Sequence, residues 1–262
     1  MRTTADEVKA CCATAYSSEA ARFLLGDRFH PGGAALTSRL VRALRVGGSH
    51  EIVDVASGPG ASAIQAAQET GCRVVGIDLS PASVAAATEA AIAAGVGERA
   101  KFVVGDAEAL PLPDASVDGA LCECALCTFP DKQAAAGELA RVLRPGARLA
   151  LSDMTARQDR LPPELSGLAA WIACIADARP LDEVADLLAS VGLVVESAAA
   201  HDAALGEMVE RVEARLVAAR ILGGPVAVLG DRLDEALVIA RAAKEAVAGG
   251  DLGYGAIVAR RR

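Results

Sequence analysis

The chain has 262 residues and carries 26 Lys and Arg against 34 Asp and Glu, a formal net charge of −8 with a pI near 5.0. That balance, with no basic stripe, excludes the usual nucleic-acid binder, and no charge-free apolar run is long enough to span a bilayer. Hydrophobic residues make up 53% and aromatics only 3%, so any core is built from Ala, Val, Leu and Ile.

The first ten residues are polar, with Asp6, Glu7 and Lys9, and lack the apolar stretch of a secretory signal. A cytoplasmic protein is expected. Its seven cysteines are an odd number in clusters, Cys11-Cys12 and Cys122/Cys124/Cys127. Such spacing suits reduced thiols used for metal binding or catalysis better than a disulfide framework.

Residues 1–50 read as an N-terminal helical cap, with helices over 20–25 and 34–45 separated by His30-Pro31-Gly32-Gly33. Residues 51–152 alternate strand and helix: strands at 51–56, 73–77, 100–104, 116–122 and 147–152, helices at 61–70, 83–94 and 132–143. Arg144-Pro145-Gly146 reads as the turn into the fifth strand. This alternation predicts an α/β fold with a parallel, doubly wound sheet. Residues 153–262 complete the same domain. They comprise a helical insertion opened by Pro162-Pro163, a sixth strand at 193–196, two helices within 202–248 divided by Gly223-Gly224-Pro225, and a last strand at 254–260.

Three features point to a nucleoside-bearing ligand. Val53-Asp54-Val55-Ala56-Ser57-Gly58-Pro59-Gly60 is a strand running into a glycine turn, where the backbone admits close approach. Asp78 ends the second strand and suits a ribose diol. Asp106, after the third strand, suits an adenine amino group. A dinucleotide site would carry G-x-G-x-x-G, and here Ala63 takes the third glycine position.

The thiols stand at the carboxyl end of the fourth strand, where sheets of this kind bind ligands. Thiolates favour soft ions such as Zn(II), Cu(I) and trivalent arsenic. A structural zinc site needs four ligands in paired spacing, and Cys122-Glu-Cys124-Ala-Leu-Cys127 offers no second pair nearby. Free cysteines are also frequent core residues, which is the expectation for Cys72 and one of two readings of Cys122 on the fourth strand.

The order of the glycine turn, Asp78, Asp106 and Arg144-Pro145-Gly146 resembles the class I S-adenosylmethionine (AdoMet)-dependent methyltransferases. More narrowly, Cys124-Ala-Leu-Cys-Thr-Phe-Pro-Asp-Lys-Gln, Cys174 three residues after Trp171, and Val8-Lys-Ala-Cys11-Cys12 resemble the arsenite methyltransferases. Leu24-Leu25-Gly26 stands where that family has Tyr-Tyr-Gly.

The resemblance implies a class I Rossmann-like fold with a helical N-terminal cap. It implies AdoMet held by Asp54, Ser57, Gly58, Gly60, Asp78, Leu79, Asp106, Ala107 and Cys122. It also implies trivalent arsenic as substrate, held by Cys124 and Cys174 with Cys11 or Cys12 as third thiol, and a thiol reductant as co-reactant. An AdoMet-dependent methyltransferase of an organic small molecule, with packing cysteines and Glu123 or His30 as base, is the alternative. A non-catalytic metalloid sensor is a third reading.

Overall fold

The computed structural model describes residues 4–16, 18–26, 28–166, 169–170, 173–222 and 232–262. Seven strands form one sheet: β1 (Glu51–Val55), β2 (Arg73–Asp78), β3 (Ala100–Val104), β4 (Val117–Glu123), β5 (Leu143–Ala156), β6 (Leu193–Ala200) and β7 (Leu252–Arg261), in the order β3-β2-β1-β4-β5-β7-β6. The first five strands pair in parallel, and β7 enters antiparallel between β5 and β6. The chain moves outward from β1 to β3, then returns to lay β4 on the other side of β1. That reversal opens a crevice above the carboxyl ends of β1 and β4, the position at which such sheets take ligands.

The described helices are α1 (Ala5–Tyr16), α2 (Glu19–Leu25), α3 (Gly33–Leu44), α4 (Ala61–Thr70), α5 (Pro81–Ala93), α6 (Lys132–Val142), α7 (Leu181–Ser190), α8 (Asp202–Leu222) and α9 (Arg232–Gly249). Local signals set several starts. The Ser80 side chain accepts from the Ser83 N–H with Pro81 opening α5, and the Asp131 side chain accepts from the Ala134 N–H at the start of α6.

The central strands are buried on both faces, as helices covering a parallel sheet require. One face packs Leu36, Leu40 and Leu44 of α3, Ala63 and Ala67 of α4, and Ala243 and Ala246 of α9. The other packs Leu139 of α6 and Leu188 of α7. Alanine-rich faces let helices sit close to the strands, which is how a chain poor in aromatics still closes its core.

Three features depart from the sequence reading. The helix α1 is additional. Arg144-Pro145-Gly146 is no turn before a strand but a bulge inside β5, whose pairing with β4 shifts between Val117 and Gly119. The strand β5 then continues to Ala156 because β7 pairs with it as far as Leu252. The segment between β5 and α7 includes two single-turn 3-10 helices, at Gln158–Arg160 and Pro163–Leu165. Trp171 and Gly223-Gly224-Pro225 lie outside the described residues. Among the described residues, no helix is long and apolar enough to cross a membrane.

Candidate active site

A pocket occupies the crevice, walled by the glycine turn, the ends of β2 and β4, the loop after β3, and the N-terminal helix α1. Its first half is built by two consecutive strand–helix units. The turn from β1 into α4 runs through left-handed backbone at Ala56 (φ 57°) and Gly58 (φ 52°). A Cβ at Gly58 would meet no atom within 4 Å, so that glycine faces open space a ligand can occupy. Asp78 braces the turn: its Oδ2 accepts from the Gly58 N–H at 2.8 Å and its Oδ1 from the Ser80 N–H at 2.8 Å. Burial raises the Asp78 pKa, and these two N–H donors oppose the rise.

Asp54 lies deeper, at the end of β1. It is buried, and among the described residues its Oδ2 and the neighbouring Ser57 Oγ have no hydrogen-bond partner. Burial, then the charge of Glu123, push its pKa well above the usual carboxylate range. Orphaned buried oxygens carry a desolvation cost of about 1–3 kcal/mol each, and a donor-bearing ligand would remove it. The ammonium and ribose hydroxyls of AdoMet are such donors, so the residues present fit that molecule. Leu79 and Ala107 also line the pocket.

Two residues expected here stand elsewhere. Gly60 is outside the pocket at the start of α4, with φ 85°; a Cβ there would meet Phe102 at 2.7 Å and Ala87 at 2.9 Å, so its role is close packing. Cys122 is fully buried among Ala120, Leu126 and Leu139, on the side of β4 facing α6. Strand alternation turns it away from the crevice, and burial raises its thiol pKa well above normal, leaving it unreactive.

Asp106 does line the pocket, but it meets a cation. Lys9 Nζ of α1 donates to Asp106 Oδ2 at 2.7 Å and to Glu108 Oε2 at 2.5 Å. Nothing in the sequence points to Lys9.

Beside the pocket lies a group of thiols, of which Cys12 and Cys124 line it while Cys127 and Cys174 are buried behind its wall. Cys124 stands just past β4 and Cys174 comes from the segment before α7, both with left-handed backbone (φ 54° and 64°). Non-glycine residues in that region are uncommon and concentrate at functional sites. The side chains of Cys124, Cys127 and Cys174 lie close enough to shift one another's acidity. Cys174 Sγ also lies 3.7 Å from the Cys124 carbonyl oxygen, and the Tyr16 hydroxyl meets it at 2.9 Å.

Hydrogen bonds from Cys124, then Cys127, outweigh burial and, with Tyr16 and the charge of Lys132, hold the Cys174 pKa well below that of an ordinary thiol. The partners move the other way. Cys124 receives a hydrogen bond from Cys127, but its own donation to Cys174 and its burial raise it well above normal. Burial raises Cys127. Cys174 is thus the most readily ionised thiol of the group. Cys12 lines the pocket from α1, close enough to Cys174 that burial and that charge push its pKa up to about 12. Cys11 is half-buried and does not line the pocket, which separates the two adjacent thiols.

Below the cluster, Asp153 accepts from the Cys127 N–H at 2.8 Å and the Met154 N–H at 2.7 Å. Burial and the Cys174 charge raise its pKa to about 7. Lys132 donates to the carbonyl oxygens of Cys127 (3.1 Å) and Phe129 (3.0 Å) and to Asp177. Between the two halves sits Glu123, which accepts from the Thr37 hydroxyl at 3.1 Å and lies 3.8 Å from His30 Nδ1. Among the described residues, no group of three or more His, Cys, Asp or Glu side chains is disposed to hold a metal ion.

Residues 53–151 match the family model described as a methyltransferase domain. The 27-O-demethylrifamycin SV methyltransferase of Amycolatopsis mediterranei is 35% identical over 170 residues, covering 62% of this chain and 61% of that protein. The arsenite methyltransferase of Halobacterium salinarum is 31% identical over 161 residues, covering 58% and 39%. The chain thus spans about half the length of the curated relatives it matches.

Among solved structures, the [4+2]-cyclase SpnF superposes with a TM-score of 0.80 at 21% identity over 98% of this chain and 97% of that one. The geranyl diphosphate C-methyltransferase of Streptomyces coelicolor, crystallised with S-adenosyl-L-homocysteine, gives 0.78 at 18% identity over 97% and 98%. Residues 53–151 carry the sequence pattern of a methyltransferase domain, and the chain has the Rossmann-like fold of the class I AdoMet-dependent methyltransferases.

Proposed function

We propose that this protein transfers a methyl group from AdoMet to trivalent arsenic held by the thiolates of Cys124 and Cys174, with Cys12 as the third thiol. The observation that carries this reading is that Cys12 and Cys124, distant in sequence, line the same crevice as Asp54, Ser57 and Asp78, with Cys174 packed 3.7 Å from the Cys124 carbonyl oxygen; holding arsenic requires the three thiols to leave their present arrangement.

Asp78 would hold the ribose hydroxyls, and Asp54 with Ser57 the amino-acid end. AdoMet, when bound, supplies an electrophilic sulfonium methyl and keeps the C–S electron pair as the methyl leaves. Cys174, the most readily ionised thiol, makes the first bond to arsenic as a hydroxide leaves it, and Cys124 makes the second, its proton departing with a second hydroxide as water. A trigonal-pyramidal arsenic keeps its lone pair opposite the sulfurs, so it needs donors on one side only. The lone pair forms the As–C bond. No base is required, because the arsenic carries no proton. Arsenic is formally oxidised by two electrons, which a thiol reductant returns as its own thiols become a disulfide. The rate gain lies in orientation.

A second reading has a specific support. Glu123, Thr37 and His30 form a buried polar group beside the pocket, and the 27-O-demethylrifamycin SV methyltransferase is named for an organic acceptor. An organic acceptor would lose its proton to Glu123 or His30.

Turnover with AdoMet, a thiol reductant and arsenite or methylarsenite, followed by arsenic-specific chromatography, separates the two. Methylated arsenic is the expected product. Its absence, with AdoMet still bound, would favour the organic acceptor.

A further inference from the structure

One face of α1 is a wall of the pocket. Lys9, Cys12, Ala13 and Tyr16 all line it, and a spacing of three, four and seven residues places them on a single helical stripe. The buried residues of this helix are Val8 and Cys12, and a helix of 12 residues is marginal without tertiary anchors.

The anchors lie at the two ends of the stripe. Tyr16 meets Cys174 at 2.9 Å at one end. At the other, Lys9, only 18% exposed, meets both Asp106 and Glu108. Those acceptors are themselves fixed. Glu108 Oε1 accepts from the Asp131 N–H at 2.8 Å, tying it to the start of α6, and Asp106 Oδ1 accepts from the Glu108 N–H at 2.9 Å. The ammonium therefore docks into a preformed pair of carboxylates.

We propose that Lys9 is a positioning residue, whose paired ionic contact with Asp106 and Glu108 holds α1 down and sets Cys12 against the thiol end of the pocket. Cys12 lies one turn after Lys9 on the same face, so releasing the ammonium frees the turn that carries the thiol. The consequence for arsenic rests on the reading above, in which Cys12 is the third ligand. The placement of Cys12 does not.

The test is the alkylation rate of Cys12 by iodoacetamide in the full chain without cofactor, resolved by peptide mass spectrometry in a Cys11→Ser background. Fully buried Cys72 serves as the internal gauge of global unfolding. Charge-assisted hydrogen bonds of this kind are worth enough that Lys9→Met should speed Cys12 alkylation about tenfold. Glu108→Gln should speed it about threefold by the same loss of charge, and Lys9→Arg should restore the parent rate. Cys72 should stay protected throughout.

Cys12 rates within about twofold of the parent in both charge-removing variants would overturn the proposal, since the expected gain exceeds that. So would Cys72 reacting in step with Cys12. Neither arsenic nor AdoMet is present, so this outcome is independent of turnover. If the parent chain fails to methylate arsenic, that overturns the acceptor reading and leaves the Lys9 result standing.

Discussion

The two halves of the pocket are built in opposite ways. The half proposed to hold the nucleoside comes from neighbours in sequence: β1, its glycine turn and the end of β2 supply Asp54, Ser57, Gly58 and Asp78 within 25 residues. The thiol half lines the pocket with Cys12 from α1 and Cys124 from the end of β4, and backs them with buried Cys127 and with Cys174 from beyond β5. A half built locally can be held by its own backbone hydrogen bonds. A half built from distant segments depends on tertiary anchors, namely Asp153, Lys132, Tyr16 and Lys9. The two halves should therefore fail separately, and substitutions can show whether they do.

The largest effect belongs to the thiols. Cys174→Ser removes the most readily ionised thiol of the cluster and should lower arsenic methylation by at least about a hundredfold, as misplacement of a reacting group does. AdoMet affinity measured by calorimetry should stay unchanged. Equal loss of both would show that the halves are not separable.

The anchor beneath the thiols gives the next effect. The Asp153 pKa is about 7 in the folded chain against an ordinary 3.8, so between those values the native state binds the extra proton. Stability therefore falls as pH rises from about 4 to about 7, by up to roughly 1.4 kcal/mol per unit in that window. Asp153→Asn should flatten this slope in urea melts taken across that range. A slope that persists unchanged would assign the dependence to other groups.

On the nucleoside side, Asp78→Asn keeps an acceptor but places an amide N–H against a backbone donor, and should weaken AdoMet binding about tenfold. Arsenite binding without cofactor should not change. The smallest effect is expected for Cys122→Ala, which removes a thiol facing α6. AdoMet affinity and turnover should stay within about twofold, with only a small loss of stability from the lost sulfur.

The same contrast explains what can be read from the sequence. Glycine turn, strand end and acidic residue recur at fixed short spacing, so Asp54, Ser57 and Asp78 are legible in the residues themselves. Cys122 carries two readings in the sequence, core residue and cofactor contact, because the pattern names the strand end but not which way each side chain points; its burial settles it as core. Gly60 belongs to the turn pattern yet serves packing against Phe102. Cys11 and Cys12 are adjacent, and only the rotation of α1 decides between them. The helix α1 buries only Val8 and Cys12, so periodicity gives no warning of it. Lys9, Tyr16 and Cys127 acquire meaning only through partners far away in the chain.

The central claim is that the thiol half holds the methyl acceptor. Arsenic K-edge absorption of arsenite bound to the cofactor-free protein tests it directly, because it reports the atoms around arsenic. The account predicts two or three sulfur neighbours in the parent chain and their loss in the Cys124→Ser/Cys174→Ser double variant. Oxygen neighbours alone, or sulfur neighbours that survive both substitutions, would contradict it.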